Sequence, residues 1–174
     1  MIGWAEIAMI GGVSVLPLMS LASALLNVPI PERALVIGSA QGEPVFLLAR
    51  EFPSARIRGL DPSLARVREA TSRVGLDPEG RVAFKTGKPS ALPYPDGFFD
   101  LVVLCEGRLA PGELDRVLRP GGHLILAPLP GGRPARRLRQ RILEARLARR
   151  GFTGVPAGSE AVGNFYIARL DDRD

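Results

Sequence analysis

From residue 32 onward, short apolar runs alternate with segments of helical periodicity, and this alternation limits the fold more than any other feature. The runs predict seven strands, at 34–37, 55–60, 81–86, 99–105, 123–127, 152–155 and 164–170. The segments between them predict four helices, at 44–52, 64–74, 111–118 and 134–150. Strands that alternate with helices form a mostly parallel sheet covered on both faces, so we predict a doubly wound α/β fold.

The first 31 residues differ in composition from the rest, because Ile7–Pro31 contains no charged side chain. A continuous helix of this length would be about 37 Å long, enough to cross a bilayer core of about 30 Å. However, Gly11-Gly12 and Pro17 interrupt the run, and Glu6 before it is unlike the basic flank of a secretory signal. A shorter helix from Pro17 to about Asn27 is therefore the preferred interpretation.

The residues that this shorter helix would place on one face are Leu18, Leu21, Ala22 and Leu25. We treat 1–31 as an apolar helical segment and 32–174 as the domain that follows it. We expect a cytoplasmic protein in which the apolar face packs on the domain or on a partner. Membrane attachment through residues 7–31 is the alternative, and a homodimer formed through the part before Pro17 is a further option.

The scarcity of cysteine and histidine limits the chemistry of the chain. Cys105 is the only cysteine and His123 the only histidine, so neither a disulfide framework nor a multi-residue Cys/His metal site is expected. Residues 133–150 hold eight arginines and one acid, Glu144, which concentrates the positive charge there. Phosphate contacts need basic groups gathered on one surface, whereas these arginines are spread around the helical wheel. Nucleic acid is therefore not an expected partner.

Two of the predicted strands end in loops whose residues suit a nucleoside ligand. Loop 38–43, GSAQGE, follows the first strand of the domain, and its glycines permit positive φ and close approach of a ligand. The segment Asp61-Pro62-Ser63 ends the second strand, 23 residues after Gly38. A carboxylate at this position can accept hydrogen bonds from both hydroxyls of a ribose. A purely local role for Asp61, in a turn or a helix cap, is the alternative.

Two further motifs stand before the fourth and fifth predicted strands. Residues 91–103 read ALPYPDGFFDLVV, and residues 114–124 read LDRVLRPGGHL. This pair resembles the class I S-adenosylmethionine-dependent methyltransferases, which carry LPFPDGSFDLVV at the first place and RVLKPGG at the second. The resemblance covers about residues 30–130 and implies a Rossmann-like methyltransferase sheet. The first loop has GxxxG where nicotinamide-binding proteins have GxGxxG, which argues against a dinucleotide.

The resemblance implies S-adenosylmethionine as the cofactor and a small molecule as the methyl acceptor. The cofactor-binding residues that it implies are Gly38, Ser39, Gly42, Asp61, Pro62, Leu92 and Cys105. The first loop would wrap the methionine portion, Asp61 would hold the ribose hydroxyls, and Leu92 would lie beside the adenine. No residue is assigned to catalysis, and no metal is expected.

The chain departs from the family pattern within this site. Val36 replaces the acid usual in the first strand, Ala40 replaces the middle glycine of the loop, and Lys88 replaces an acid beside the adenine. The segment 106–110, after the fourth strand, is also short. Two hypotheses follow, of which we favour the first: a methyltransferase, or a non-catalytic relative that acts as a membrane-associated or partner-binding module.

Overall fold

A computed structural model describes residues 9–10, 13–77, 79–127, 133–156 and 165–172 of the chain. Gly11-Gly12, and Asn164 at the start of the last predicted strand, lie outside these residues. The strands are β1 (Met9–Ile10), β2 (Val13–Ser14), β3 (Arg33–Ile37), β4 (Arg56–Asp61), β5 (Val82–Thr86), β6 (Phe99–Leu104), β7 (Leu118–Leu126), β8 (Phe152–Gly154) and β9 (Tyr166–Leu170). The helices are α1 (Val15–Leu25), α2 (Glu43–Glu51), α3 (Leu64–Ser72), α4 (Pro111–Val117) and α5 (Arg133–Ala148).

Strands β3 to β9 form one sheet in the order β5-β4-β3-β6-β7-β9-β8. The pairs β3/β4, β4/β5, β3/β6 and β6/β7 are parallel, whereas β9 is antiparallel to both β7 and β8. The chain moves outward from β3 to β5 and then returns to the other side of β3 with β6, so the strand order reverses there. The predicted doubly wound, mostly parallel sheet is confirmed, and its ligand edge lies at the carboxyl ends of β3, β4 and β6.

The two faces of the sheet are buried in two apolar clusters. Along β3, Leu35 and Ile37 belong to one cluster, and Ala34 and Val36 belong to the other. This alternation follows from the two-residue period of a strand. All six residues of β6 are buried, as expected for a strand that is covered on both faces of the sheet.

One acid lies within β6, where its carboxylate fixes the start of β3. Asp100 is 8% exposed, and its two oxygens accept the backbone N–H groups of Glu32 and Arg33 at 2.9 and 3.1 Å. Arg119 lies 3.3 Å from the same carboxylate. These partners offset the cost of burying the charge.

Strand β7 is longer than the sequence pattern predicts. It begins at Leu118, directly after α4, so residues 119–122, expected as a turn, lie in the strand. The pairing of β6 with β7 shifts register between Phe99 and Leu101 to accommodate them. A Cβ on Gly122 would lie 2.8 Å from the carbonyl oxygen of Arg119, so only glycine lets the chain pack this closely here.

Helix α1 packs against the domain. Leu21, Ala24 and Leu25 are buried in the same cluster as Val36, whereas Leu26, directly after the helix, is 85% exposed. The apolar inner face is thus covered by protein. Within the residues that the structure describes, no helix is both long enough and apolar enough to cross a bilayer.

Candidate functional site

Three loops meet where β3, β4 and β6 end. The backbone N–H of Gly38, after β3, donates to the carbonyl of Leu60 in β4 at 2.8 Å. The N–H of Cys105, after β6, donates to the carbonyl of Ile37 at 2.9 Å. These bonds continue the sheet by one residue and hold the first loop between Asp61 and the segment that begins at Cys105.

The first loop, residues 38–42, turns through three residues with positive φ. These are Gly38 at +72°, Ala40 at +47° and Gly42 at +103°. Among the described residues, Ala40 is the only non-glycine residue with a positive φ. An L-residue in the left-handed conformation costs about 1–2 kcal/mol, so Ala40 stores strain at the position where the family pattern has glycine.

The two glycines of the loop are required by contacts within the chain. A Cβ on Gly38 would lie 2.5 Å from the carbonyl oxygen of Glu106. A Cβ on Gly42 would lie 2.7 Å from the ring of Phe46 and 3.0 Å from that of Phe84. The segment after β6 therefore lies directly against the first loop, and α2 begins tightly behind it.

Asp61 joins the first loop to helix α3. Its side chain is fully buried; Oδ2 accepts the N–H of Ala40 at 3.1 Å, and Oδ1 accepts the N–H of Ser63 at 2.8 Å. Ser63 is the N-cap of α3, and its Oγ accepts the N–H of Arg66 at 3.4 Å. Asp61 therefore does have a local role in the turn before α3, and this role uses one hydrogen bond on each carboxylate oxygen. A carboxylate has about four acceptor positions, so about two remain.

An ion pair lies over Asp61 at the edge of the site. Nη1 of Arg66 is 3.1 Å from Oε2 of Glu106 and 3.7 Å from Oδ2 of Asp61. The side chains of Arg66 and Glu106 are 41% and 63% exposed, so the pair borders solvent. An exposed ion pair contributes about 0–1 kcal/mol, and it is therefore a weak cover over a buried acid. The sequence pattern did not indicate Arg66.

A second arginine holds the outer part of the first loop. Nη1 of Arg73 donates to the carbonyl of Gln41 at 2.8 Å and to Glu43 at 2.6 Å. Its guanidinium also lies 5.2 Å from the ring centre of Phe46. Arg73 was not identified from the sequence either, because contacts between α3 and this loop depend on the tertiary fold.

Leu92, expected beside the adenine, lies in the loop between β5 and β6. Its side chain is buried, 5% exposed, and its backbone N–H donates to Oε2 of Glu113 at 2.6 Å. Its carbonyl accepts from Nη2 of Arg116 at 3.0 Å. The hydrogen bond from Arg116 lowers the pKa of Glu113, and the same pairing raises the pKa of Arg116. Both side chains are thus charged at neutral pH.

The remaining expected residues differ in their exposure. Ser39 is fully buried and its Oγ has no hydrogen-bond partner, whereas Pro62 is exposed to solvent. Cys105 is partly buried, and burial raises the pKa of its thiol to about 12, so it remains protonated at neutral pH. Lys88 is exposed, and its carbonyl accepts the N–H of Ala91 at 3.1 Å.

His123 lies away from this edge. It pairs with Leu101 in the first half of β6, whereas the site lies beyond Leu104. Burial, with a smaller contribution from Arg169, lowers the pKa of His123. Its imidazole is therefore neutral at physiological pH, and its position in the strand indicates a structural role.

The acceptor positions on Asp61 fit the hydroxyl groups of the ribose of an adenosyl cofactor. Asp61 retains acceptor positions for hydroxyl donors, and it stands 23 residues after Gly38, at the edge where the strand order reverses. A ribose could reach the carboxylate only if the side chains of Arg66 and Glu106 moved apart, since Asp61 is fully buried beneath them.

Comparisons with known proteins bear on this site. The family model of the methyltransferase domain matches residues 35–126, more than half of the chain. Demethylmenaquinone methyltransferase of Thermus thermophilus is 36% identical over 110 residues, which cover 58% of this chain and 48% of that protein. The chain spans about half the length, or less, of the first curated relatives that it matches.

Solved structures share the fold. A SAM-dependent methyltransferase from Aquifex aeolicus superimposes with a TM-score of 0.70 at 17% identity, covering 95% of this chain and 96% of that one. The [4+2]-cyclase SpnF superimposes with a TM-score of 0.60 at 28% identity, covering 83% of this chain and 61% of that one. The match over β3 to β7, together with the strand order and the position of Asp61, identifies this chain as a member of the methyltransferase domain family.

Proposed function

We propose that the protein is an S-adenosylmethionine-dependent methyltransferase that acts on a small molecule. The observation that carries the proposal is Asp61, a buried carboxylate with acceptor positions to spare, located beside the first loop at the reversal point of the sheet. The family match over 35–126 supports the same conclusion.

The proposed cofactor site follows the three loops. Asp61 would accept the ribose hydroxyls, with Pro62 beside it, and the first loop at Gly38, Ser39 and Gly42 would hold the methionine portion. The unpartnered hydroxyl of Ser39 supports this assignment, because a buried polar group without a partner costs about 1–3 kcal/mol. A small rearrangement of the loop on binding would let Ser39 gain that partner.

The base would lie toward the loop that holds Leu92, and the sulfonium toward Cys105 at the end of β6. Lys88, at the family's acidic position, can donate but cannot accept a hydrogen bond. In this proposal a backbone carbonyl of the loop would accept a hydrogen bond from the exocyclic amine of adenine in place of the missing acid.

S-adenosylmethionine supplies an already activated methyl group, so the protein contributes mainly orientation and exclusion of water. The two apolar clusters beneath the loops provide a rigid base for that orientation. Glu106 is the acid nearest to the end of β6, but its carboxylate is exposed and paired with Arg66. We therefore assign no residue to proton transfer.

A small-molecule acceptor is supported by the relatives, since the Thermus protein is named for demethylmenaquinone. The short segment after β6 leaves α4 beginning at Pro111, close to the strand end.

The test begins with calorimetric titration of S-adenosylmethionine and S-adenosylhomocysteine into the unmutated chain. Asp61→Asn should weaken binding by about 10- to 150-fold, the equivalent of one hydrogen bond to a charged group, about 1.5–3 kcal/mol. Asp77→Asn is the matched control, because Asp77 also accepts a backbone N–H, that of Val82 at 2.8 Å, outside the proposed site. The affinity of the Asp77→Asn variant for both ligands should stay within about twofold of that of the unmutated chain.

Thermal melts of both variants show whether each is folded at the titration temperature. Absence of binding to the unmutated chain at millimolar cofactor would refute the proposal. Because a [4+2]-cyclase shares this fold, binding alone does not establish methyl transfer. Mass spectrometry must therefore detect a methylated product from a small-molecule panel that includes quinols.

A further inference from the structure

The loop between β5 and β6 is held mainly by helix α4. Residues 87–98 contain three prolines, Pro89, Pro93 and Pro95, which have no N–H to donate. The internal backbone bonds of the loop run from the N–H of Ala91 to the carbonyl of Lys88 at 3.1 Å and from the N–H of Tyr94 to the carbonyl of Leu92 at 2.9 Å. More hydrogen bonds reach the loop from α4 than it forms within itself.

Arg116 of α4 supplies most of those groups. Its guanidinium has five N–H donors, and each has an acceptor in this structure. Nε and Nη2 donate to the carboxylate of Glu113 at 3.0 and 2.9 Å, and Nη2 also donates to the carbonyl of Leu92 at 3.0 Å. Nη1 donates to the carbonyl of Tyr94 and to Oδ1 of Asp96, both at 2.8 Å.

Glu113 and the backbone of Arg116 complete the attachment. Oε2 of Glu113 accepts the N–H of Leu92 at 2.6 Å, and the carbonyl of Arg116 accepts the N–H of Gly97 at 2.8 Å. Both backbone groups of Leu92 are therefore held by this pair. The side chains of Arg116 and Glu113 are 30% and 22% exposed, so solvent screens the pair less than it does a fully exposed one.

The same loop borders the proposed cofactor site. The N–H of Gly87 donates to the carbonyl of Asp61 at 3.1 Å. On the other side, a Cβ on Gly107 would lie 3.3 Å from Cγ of Pro89, so the loop also meets the segment after β6. The loop thus meets the backbone at the end of β4, not the carboxylate of Asp61, so a displacement of the loop would change the base side of the site first.

We propose that Glu113 and Arg116 are positioning residues for the base of the cofactor, because they hold the loop whose backbone would bind the adenine. This inference rests on the proposed function. Glu113 and Arg116 act on the loop through the backbone of Leu92, whose N–H and carbonyl they bind. It pre-organises the adenine side of the site and leaves the methionine side, held by the first loop, unaffected.

The experiment compares two ligands that differ only in the base. S-adenosylhomocysteine carries the adenine, whereas S-ribosylhomocysteine lacks it and keeps the ribose and the amino acid. Arg116→Gln should lower the affinity for S-adenosylhomocysteine by about tenfold or more. The affinity for S-ribosylhomocysteine should fall by less than about twofold. Arg116→Lys keeps the charge but has three donors in place of five, and should restore part of the affinity.

Arg150→Gln is the matched control. Arg150 pairs at 3.3 Å with Asp115 of α4, the helix that carries Arg116, and this ion pair does not hold the loop. Both ligands should keep their affinity in this variant. If Arg116→Gln does not fold, Glu113→Gln provides the same comparison, since it removes the charge that fixes the guanidinium.

Equal losses for the two ligands would overturn the positioning role and indicate general destabilisation. Unchanged affinity for both would overturn it as well, since the loop would then be held without the pair. Failure of the unmutated chain to bind either ligand would refute the proposed function itself, and this result differs from a failure seen only in the variants.

Discussion

Ala40 provides a direct test of the geometry of the first loop. Its φ of +47° costs an L-residue about 1–2 kcal/mol. Ala40→Gly removes that cost and keeps the backbone N–H that donates to Asp61. Against this gain stand the extra backbone entropy of glycine in the unfolded chain, about 0.5–1 kcal/mol, and the loss of a half-buried methyl group, about 0.4 kcal/mol.

These opposing contributions leave a net change in the free energy of unfolding of about +0.3 kcal/mol, within a range of about −0.4 to +1 kcal/mol. The corresponding change in Tm is about +1 °C for a chain of this length. Urea titration monitored by circular dichroism measures the free energy, and differential scanning calorimetry measures Tm. Ala40→Val should lower stability by about 2 kcal/mol, because a β-branched residue tolerates positive φ poorly.

Gly75→Ala is the control, because it introduces an alanine at a positive φ where Ala40→Gly removes one. Gly75 has a φ of +68°, and a Cβ there would meet no atom within 4 Å. The substitution should therefore destabilise by about 0.5–1 kcal/mol through backbone conformation alone. If Gly75→Ala behaves in this way and Ala40→Gly lowers the free energy of unfolding by more than about 0.5 kcal/mol, the conclusion that Ala40 is strained is wrong.

Two further expectations concern titratable groups. Cys105 should react with iodoacetamide at pH 7.5 much more slowly in the native chain than in urea, because burial raises the pKa of its thiol to about 12. Mass spectrometry measures the two alkylation rates, and equal rates would contradict this expectation. The lowered pKa of His123 means that the unfolded chain binds more protons as pH falls below about 6.5. The unfolding free energy should therefore fall between pH 7.5 and 5.5, and this fall should be smaller in His123→Gln when urea titrations are compared; an identical pH dependence would refute the assignment.

Local patterns predicted the elements of the sheet because each strand and cap depends on neighbouring residues. The helix predicted at 64–74 begins at Leu64, where Ser63 is the N-cap and its Oγ accepts the N–H of Arg66. The longer β7 could not be predicted in this way, since Gly122 is placed in a strand by its close contact with Arg119 and by a register shift in the neighbouring strand.

The site was predictable only in part, for a related reason. Gly38 and Asp61 lie at one edge of the sheet, because the ends of adjacent parallel strands meet there, and their roles in binding a cofactor stay a prediction. Arg66 and Arg116 were not identified, because the reach of a long side chain to a group 40 or 24 residues away depends on the tertiary fold. Such contacts leave no periodic signal in the sequence.

The departures in the first loop do not by themselves abolish its geometry. The hydrogen bond from Ala40 to the buried carboxylate of Asp61 is a bond to a charged group, which contributes about 1.5–3 kcal/mol. The strain at Ala40 is about 1–2 kcal/mol, so this one bond is strong enough to hold the loop in the conformation that glycine would adopt. Asp61 uses one hydrogen bond per oxygen for Ala40 and Ser63, so it keeps acceptor capacity for a ribose once Arg66, 3.7 Å from Oδ2, has moved away. The replacement of glycine by alanine is therefore compatible with a working cofactor site, and the weak Arg66–Glu106 pair is the contact that a bound cofactor would have to displace.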